Sequence, residues 1–392
     1  MLNETNVNLG KVRSTIRELF EYGKIRKAEI GDNNVFDFSI GNPSVPAPEE
    51  VKKALVDLIE NTDPVALHGY TSAQGYFSVR KSIAEELNSK FSTSLNADCI
   101  YMTCGASASL TVTLNALLNK GDEVIVFAPF FPEYKVFCEH AGGKLVTIGC
   151  DNSFQPDLAK FKKALSNKTK AVIINSPNNP SGVIYSEQTI KQIVKLVEEC
   201  KNDIYIISDE PYRELVFNGV KIPFIMNYYK RSIVCYSYSK SLSLPGERIG
   251  YIAVNNQAED FADLYAAILG AGRALGFVCA PALFQQLVKR CHGKTADLSI
   301  YRANRDRLLE KLTEYGFEFA KPDGAFYLFL KSPEGDARAF AERAKKYEIL
   351  LVAGNDFGCG EYARLSYCVS PQMIERALPA FEKLAQSYNL SK

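Results

Sequence analysis

The chain has 392 residues, 46% of them hydrophobic and 23% charged, with a formal net charge of +1. Such a length suits two domains rather than one small core, and the near-neutral charge offers no bulk attraction to nucleic acid or acidic membrane surfaces. Ten cysteines and three histidines occur without a C-x-x-C pair or a Cys/His cluster, so no metal site is expected.

Scattered cysteines in a chain this size read as reduced thiols. The opening "MLNETNVNLGKVRSTIREL" lacks the apolar core of a signal peptide. The longest apolar runs, such as "VIVFAPFF", fall short of a membrane span. The expectation is a cytoplasmic protein with neither a membrane nor a nucleic-acid partner.

In chain order, the first forty or so residues are polar, with one short amphipathic piece around residues 16–22. "GNPSVPAP" (41–48) breaks regular structure. "EEVKKALVDLIE" and "SVRKSIAEELNSKF" then show helical period, the second with Val79, Ile83 and Leu87 on one stripe. Seven short apolar runs follow: "CIYMT", "EVIVFAP", "KLVTIG", "AVIIN", "IYIIS", "SIVCYSYS" and "YIAVN". Helical stretches such as "SEQTIKQIVKLVEECK" separate most of them. Buried strands alternating with helices predict an α/β domain with a mostly parallel sheet. The long pattern "LFQQLVKRCHGKTADLSIYRANRDRLLEKLTEYG" reads as a helical bridge to a second domain. Beyond it, "FEFAKPDGAFYLFLK" and "ARLSYCVS" read as strands, and "DARAFAERAKKY" and "PQMIERALPAFEKLAQSY" as helices, a smaller α+β unit.

Four loops at predicted strand ends hold unusual polar residues, where open α/β sheets bind ligands. "TCGASASL" (103–110) has small residues before a helix, which suits a phosphate as well as a plain helix cap. "NSPNNPSG" (175–182) is a rigid turn presenting Asn178 and Asn179, as turn residues or aimed amides. "SDEPYREL" (208–215) puts Asp209 at the end of a buried strand, where a carboxylate needs a partner; a helix cap is the plainer reading. "YSYSKSLSLPGERIG" (236–250) places Ser237 and Ser239 on one strand face, followed by Lys240 and Arg248. An acid, amide and phenol donors, two hydroxyls, an arginine and a lysine together suit a phosphorylated heteroaromatic aldehyde.

The order N-P-S-G, D-E-P-Y, S-x-S-K, R-I-G-Y resembles the class I/II aminotransferases, the aspartate-aminotransferase-like enzymes of pyridoxal-phosphate fold type I. The resemblance runs from about Ile16 to the C-terminus. It implies a large domain at 46–285 that binds pyridoxal 5′-phosphate and a small domain at 286–392. Residues 1–45 would form an N-terminal arm and part of the small domain. It further implies that Lys240 is the Schiff-base lysine, that Asp209 partners the ring nitrogen, and that Asn179 and Tyr212 bond the ring's phenolic oxygen. Ser237, Ser239, Arg248 and the backbone at Gly105, Ala106 and Ser107 would bind the phosphate. Phe131 would stack on the ring. Tyr70 would reach the phosphate of a second subunit, implying a homodimer with shared sites. Gly41, Asn179 and Arg364 would hold the substrate, Arg364 through the α-carboxylate that its planar fork matches.

The chain departs from common relatives at Ala353 in "VAGNDFG", at Glu247 beside the arginine, and in having no tryptophan at the stacking position. These leave the side-chain pocket open. Arg273 and Lys135 are cations that could face it and favour an acidic amino acid, while "APFFPEY" equally permits an aromatic one. The implied activity is a ping-pong amino transfer between an L-amino acid and a 2-keto acid in biosynthetic amino acid metabolism. A C–S β-lyase on the same scaffold is the alternative, and a non-catalytic cofactor-binding regulator a remote one.

Overall fold

The computed structural model describes residues 2–11 and 14–390. A seven-stranded sheet is built from β1 (Ile100–Thr103), β2 (Glu123–Phe127), β3 (Lys144–Ile148), β4 (Thr169–Asn175), β5 (Tyr205–Asp209), β6 (Ser232–Ser237) and β7 (Gly250–Val254). These are the seven apolar runs of the sequence. Their spatial order is β1-β7-β6-β5-β4-β2-β3. Neighbours from β3 to β6 pair in parallel. Strand β7 runs antiparallel to both β6 and β1.

Helices cover both faces, so the central strands are apolar throughout. Alternate residues of one strand serve opposite cores. Ile125, Val172 and Ile206 meet Val79, Ile83 and Ile190 on one face. Val124, Ile173 and Ile207 meet Leu110, Leu114 and Ile268 on the other.

A second, antiparallel sheet holds β8 (Phe319–Ala320), β9 (Tyr327–Lys331), β10 (Val352–Ala353) and β11 (Tyr362–Ser366), in the order β10-β11-β9-β8. Leu308 and Leu312 of helix Ser299–Glu314 and Phe381 of helix Pro371–Gln386 pack on it. Residues Phe36–Asp37 pair in parallel with Ile349–Leu350, which joins the start of the chain to this body. Among the described residues no helix is long and apolar enough to cross a membrane.

Among the elements that differ from the sequence reading are two in the helical regions. The piece at 16–22 belongs to a longer helix, Thr15–Ile30, which buries Leu19 against Val35, Leu350 and Val352. Arg26 pairs with Glu348 at 2.6 Å. Its partners are remote in sequence, so local periodicity understates it. The long bridging pattern is two helices, Ala282–Arg290 and Ser299–Glu314. Gly293 breaks it at φ +68°, and the linking segment is held by a bond from Ala296 N to Ser241 O at 2.7 Å.

Gly250 fixes how the sheet edge is assembled. It lies opposite Thr103 on one side and Ser237 on the other. A Cβ there would sit 2.3 Å from the Tyr236 carbonyl oxygen and 3.0 Å from Gly105 Cα. Both obstacles are backbone, so neither can rotate away. Gly250→Ala is therefore expected to destabilise the protein by about 1–3 kcal/mol or more. A urea midpoint unchanged from wild type would refute this.

Candidate active site

Because β1, β2, β4, β5 and β6 run the same way, their carboxyl ends share one edge. Strand β7 starts at that edge because it is reversed. A cavity of about 260 Å³ lies there, with Tyr327 and Arg364 of the small sheet on its wall.

Asp209 ends β5 and is only 4% exposed. The Tyr134 hydroxyl donates to its Oδ2 at 2.5 Å. Its Oδ1 is buried without a partner. Burial pushes the carboxyl up to about 7; the Tyr134 hydrogen bond opposes the rise and the Glu210 charge adds to it. Asn175 steadies the strand end: its Nδ2 donates to the Asp209 carbonyl at 2.9 Å, and its Oδ1 accepts from Asn179 N at 2.8 Å. Asp209 caps no helix, which removes the plainer reading. One residue on, Glu210 is paired with buried Arg213 at 2.6 Å, and Arg213 also donates to the Tyr251 hydroxyl.

Strand β6 stops at Ser237, earlier than its alternation predicts, and a short helix, Tyr238–Ser241, follows at once. Ser237 caps it: Oγ accepts from Ser239 N at 3.2 Å. The two serine hydroxyls still converge, 2.6 Å apart. Lys240 sits in this turn and donates to the Gly41 carbonyl at 2.6 Å. Burial pulls its ammonium down to about 8, and the Arg248 and Arg364 cations push the same way.

Arg248 has a left-handed backbone, φ +53°. Its guanidinium lies over Gly105, where a Cβ would come within 3.0 Å of Nη2. Gly105 itself has φ +88° and precedes helix Ala106–Leu117. The first-turn N–H groups of that helix, at Ala106 and Ser107, have no partner within it. Ser237, Ser239, Arg248, Ala106 and Ser107 all line the cavity. This arrangement binds anions.

Arg364, on β11, is 2% exposed and so is no surface charge. It donates to Asn179 Oδ1 at 3.0 Å and to the Ser39 carbonyl at 2.6 Å, and its Nε has no partner. The rings of Tyr327 and Phe357 flank it at 4.8 and 5.1 Å. Tyr327 also shares a 2.7 Å hydrogen bond with Tyr212. A Cβ on Gly41 would lie 2.2 Å from the Tyr327 hydroxyl, so any larger residue there would have to displace that buried ring. Phe131 lines the cavity and meets Tyr134 edge-on at 5.7 Å.

Of the residues the sequence singled out, Asn178 turns away to the Pro129 carbonyl while Asn179 faces the cavity. Tyr70 lies outside the cavity lining and is 95% exposed. Arg273 and Lys135 are also exposed and outside the lining, each on the solvent side of its helix. Sequence reasoning missed Tyr134, Tyr327, Asn175 and Ile16, which the structure adds. Tyr134 had one signal: it stands three residues after Phe131 in the same motif. No group of metal-ligating side chains occurs among the described residues.

Known proteins resemble this chain over most of its length. The family model "Aminotransferase class I and II" matches residues 33–381. An aminotransferase structure from Eubacterium rectale is 53% identical, with a TM-score of 0.97 over 99% of both chains. The aspartate aminotransferase of Thermotoga maritima is 31% identical over 93% of each chain. A probable aspartate aminotransferase of Methanocaldococcus jannaschii is 30% identical over 95% of this chain and 96% of that one.

The raised Asp209 carboxyl has a consequence for stability. Its folded value, about 7, exceeds the ordinary 3.8. The folded state thus holds the proton more tightly, and stability falls as pH rises from about 4 to about 7. Above that the penalty is complete, at most about 4 kcal/mol. In cofactor-free protein, Asp209→Asn should match wild type near pH 4 and melt several degrees higher at pH 8. Equal melting temperatures at pH 8 would contradict the assignment.

Proposed function

We propose, for a chain that belongs to the class I and II aminotransferases, that the cavity at the sheet edge holds pyridoxal 5′-phosphate and that the residues above divide the work of amino transfer. The chain is an aminotransferase: it moves an amino group between an L-amino acid and a 2-keto acid by a ping-pong cycle. The named relatives favour transfer over β-elimination.

The observation that carries the cofactor reading is Asp209. A buried carboxylate oxygen without a partner calls for a donor, and a protonated ring nitrogen is one. The other groups fit the same molecule. Ser237, Ser239, Arg248 and the helix N–H groups at Ala106 and Ser107, with Gly105 leaving room, would take the phosphate. Asn179 and Tyr212 would bond the phenolic oxygen, Phe131 would cover the ring, and Lys240 would hold the aldehyde carbon. When bound, the cofactor supplies an electron sink for the carbanion formed at the substrate's α-carbon.

The rest falls to the chain. Arg364 receives the α-carboxylate, with its guanidinium already oriented by Asn179 and Ser39. Gly41 keeps the floor low enough for the substrate backbone. Lys240 Nζ has a lowered affinity for protons, so a useful fraction is neutral near pH 8. That amine takes the α-proton and later returns it. Asp209 would be kept negative by a cationic ring nitrogen and would hold that charge in place. Two cations lining the cavity, Arg248 and Arg364, would take the anionic ends of cofactor and substrate separately. This fixes which bond is exposed to Lys240.

Aspartate is the donor proposed first, from the relatives' names, with glutamate beside it. An aromatic donor is the second reading, favoured by cavity walls that include Ile16, Leu110, Phe131 and Tyr327. A homodimer with shared sites is supported by Tyr70, 95% exposed, and by Val65 and Phe77, 81% and 62% exposed on nearby segments. In this reading Tyr70 reaches the phosphate of the second copy. Residues 46–285 form the cofactor domain and 286–392 the small domain, with 1–45 as arm and part of the small domain. The enzyme works in cytoplasmic amino acid biosynthesis.

Borohydride reduction of the loaded enzyme followed by peptide mapping should place a pyridoxyl group on Lys240. Lys240→Ala should lower kcat by about 10²–10⁴; near-normal turnover would sink the role. Asp209→Ala should lower kcat by about 10²-fold or more while retaining bound cofactor. A panel of amino acids against 2-oxoglutarate should give the highest kcat/KM for aspartate. A clear preference for phenylalanine or tyrosine would move the assignment to the aromatic reading.

A further inference from the structure

Asp209 has a charged neighbour with no part in the reaction above. Glu210 is buried and accepts from Ser208 Oγ at 2.7 Å and from Arg213 Nε at 2.6 Å. Arg213 is buried too. Its guanidinium is enclosed by three rings, Tyr236 at 4.5 Å and Phe91 and Phe224 at 5.5 Å each. Nη1 donates to the Tyr251 hydroxyl at 2.9 Å, while Nη2 has no partner. Phe224, Tyr236 and Tyr251 belong to the core on one face of the sheet, and Leu110 and Phe131 pack on the other. The arginine therefore lies behind the cavity and is absent from its lining.

Every partner named here stands beside a residue of the active site. Ser208 and Glu210 flank Asp209 at the end of β5. Tyr236 precedes Ser237 on β6, and Tyr251 follows Gly250 at the start of β7. Neighbours on a strand project to opposite faces, so a clasp behind the sheet fixes what stands in front. Tyr236 and Tyr251 are paired across β6 and β7, and their rings stack at 4.9 Å. The Tyr236 hydroxyl also lies 2.9 Å from Glu214 and 2.9 Å from the hydroxyl of Ser241, which adjoins Lys240. Stability alone does not account for such a cluster, because well-packed apolar residues replace a buried ion pair at little or no cost. A lysine could not reach carboxylate, phenol and ring together, whereas the planar fork of arginine does.

We propose that Arg213 is a positioning residue for amino transfer: from behind the sheet it neutralises Glu210 and clasps Tyr236 and Tyr251, which holds Asp209, Ser237 and Lys240 in register with one another. The inference rests on the cofactor reading of the cavity. Arg213 touches neither cofactor nor substrate in this role and acts through the strand ends. Two effects combine. The first is geometric, since a ring gripped by Asp209 at one end and by the phosphate site at the other turns out of line if β5 and β6 shift against each other. The second is electrostatic. After burial and the Tyr134 hydrogen bond, the Glu210 charge is the remaining influence on Asp209, and it favours the protonated form. A cation on Glu210 limits that push.

The test uses enzyme loaded with pyridoxal 5′-phosphate. Arg213→Lys keeps the charge and loses the fork. A second variant, Glu210→Gln with Arg213→Met, removes the ion pair whole and so leaves no unpaired buried anion to unfold the chain. Both should lower kcat by about 10-fold while KM for the amino donor changes by less than about 2-fold. Both should also weaken the visible circular dichroism of the bound cofactor, which reports how the ring is held. The control is Arg80→Lys. Arg80 is buried and paired with Asp98 at 3.2 Å, and its partners Gly75, Ala97 and Asp98 adjoin no cavity residue. It should lose stability and keep kcat. The role is overturned if both folded Arg213 variants keep the wild-type kcat and dichroism, or if Arg80→Lys lowers kcat equally. Borohydride labelling of wild type separates the two failures. No label on Lys240 removes the cofactor reading and this role with it, whereas a labelled Lys240 with unaltered variants removes this role alone.

Discussion

One reversed strand makes the site possible. Strands β1 and β6 deliver Gly105 and Ser237 to the same edge by ending there. Arg248 could not join them from a parallel strand's far end. Because β7 runs the other way, Gly250 is its first residue, in register with both Thr103 and Ser237. Arg248 then falls beside the helix N-terminus. Reversal of a five-residue strand would move it about 17 Å away. The absence of a side chain at Gly250 lets the three strands close up. The rest of the cavity is arranged around that junction.

The second theme is charge placed where it is uncomfortable. Asp209, Lys240 and Arg364 are all buried, and burial shifts each towards its neutral form. Two of the three retain an unmatched polar atom. A fold selected only for stability would replace them with apolar residues. In the function proposed above, ligands would bring the missing partners: a cationic ring for the acid, a carboxylate for the arginine, an aldehyde for the amine. The surrounding bonds hold the groups ready without satisfying them. Tyr134 occupies one oxygen of Asp209 and leaves the other. Asn179 and Ser39 occupy two nitrogens of Arg364 and leave the third.

Much of this was legible in the sequence because the information is local. All seven large-sheet strands show as short β-branched runs, and each key loop carries its chemistry within a few residues of a strand end. Lys240 lies three residues after Ser237, so strand, cap and amine are read together. What escaped was non-local. Tyr134 and Tyr327 look like ordinary core aromatics until their hydroxyls are placed beside Asp209 and Tyr212. Helix Thr15–Ile30 has few buried residues of its own and depends on contacts more than three hundred residues away. Arg273 and Lys135 looked useful because charge is visible in a sequence, whereas the direction of a helical side chain requires the helix's neighbours. Tyr70 is exposed in this chain, and its proposed role depends on a second copy that neither sequence nor fold displays.

The pairing of Phe36–Asp37 with Ile349–Leu350 has a consequence for synthesis on the ribosome. The opening segment finds its partners late: Glu348 for Arg26, Leu350 for Phe38, Arg364 for Ser39 and Lys240 for Gly41. Strands β1 to β7 emerge in between and can pair among themselves before those partners exist. The nascent chain therefore carries an unpaired leading strand and the apolar side of a helix through most of translation. Contacts this distant in sequence form slowly, and exposed strand edges invite association with other chains. The short length of Phe36–Asp37 and the charged face of the helix before it limit that exposure. By the same order, the contact of Ser39 with Arg364 at the cavity wall can form only after nearly the whole chain has been made.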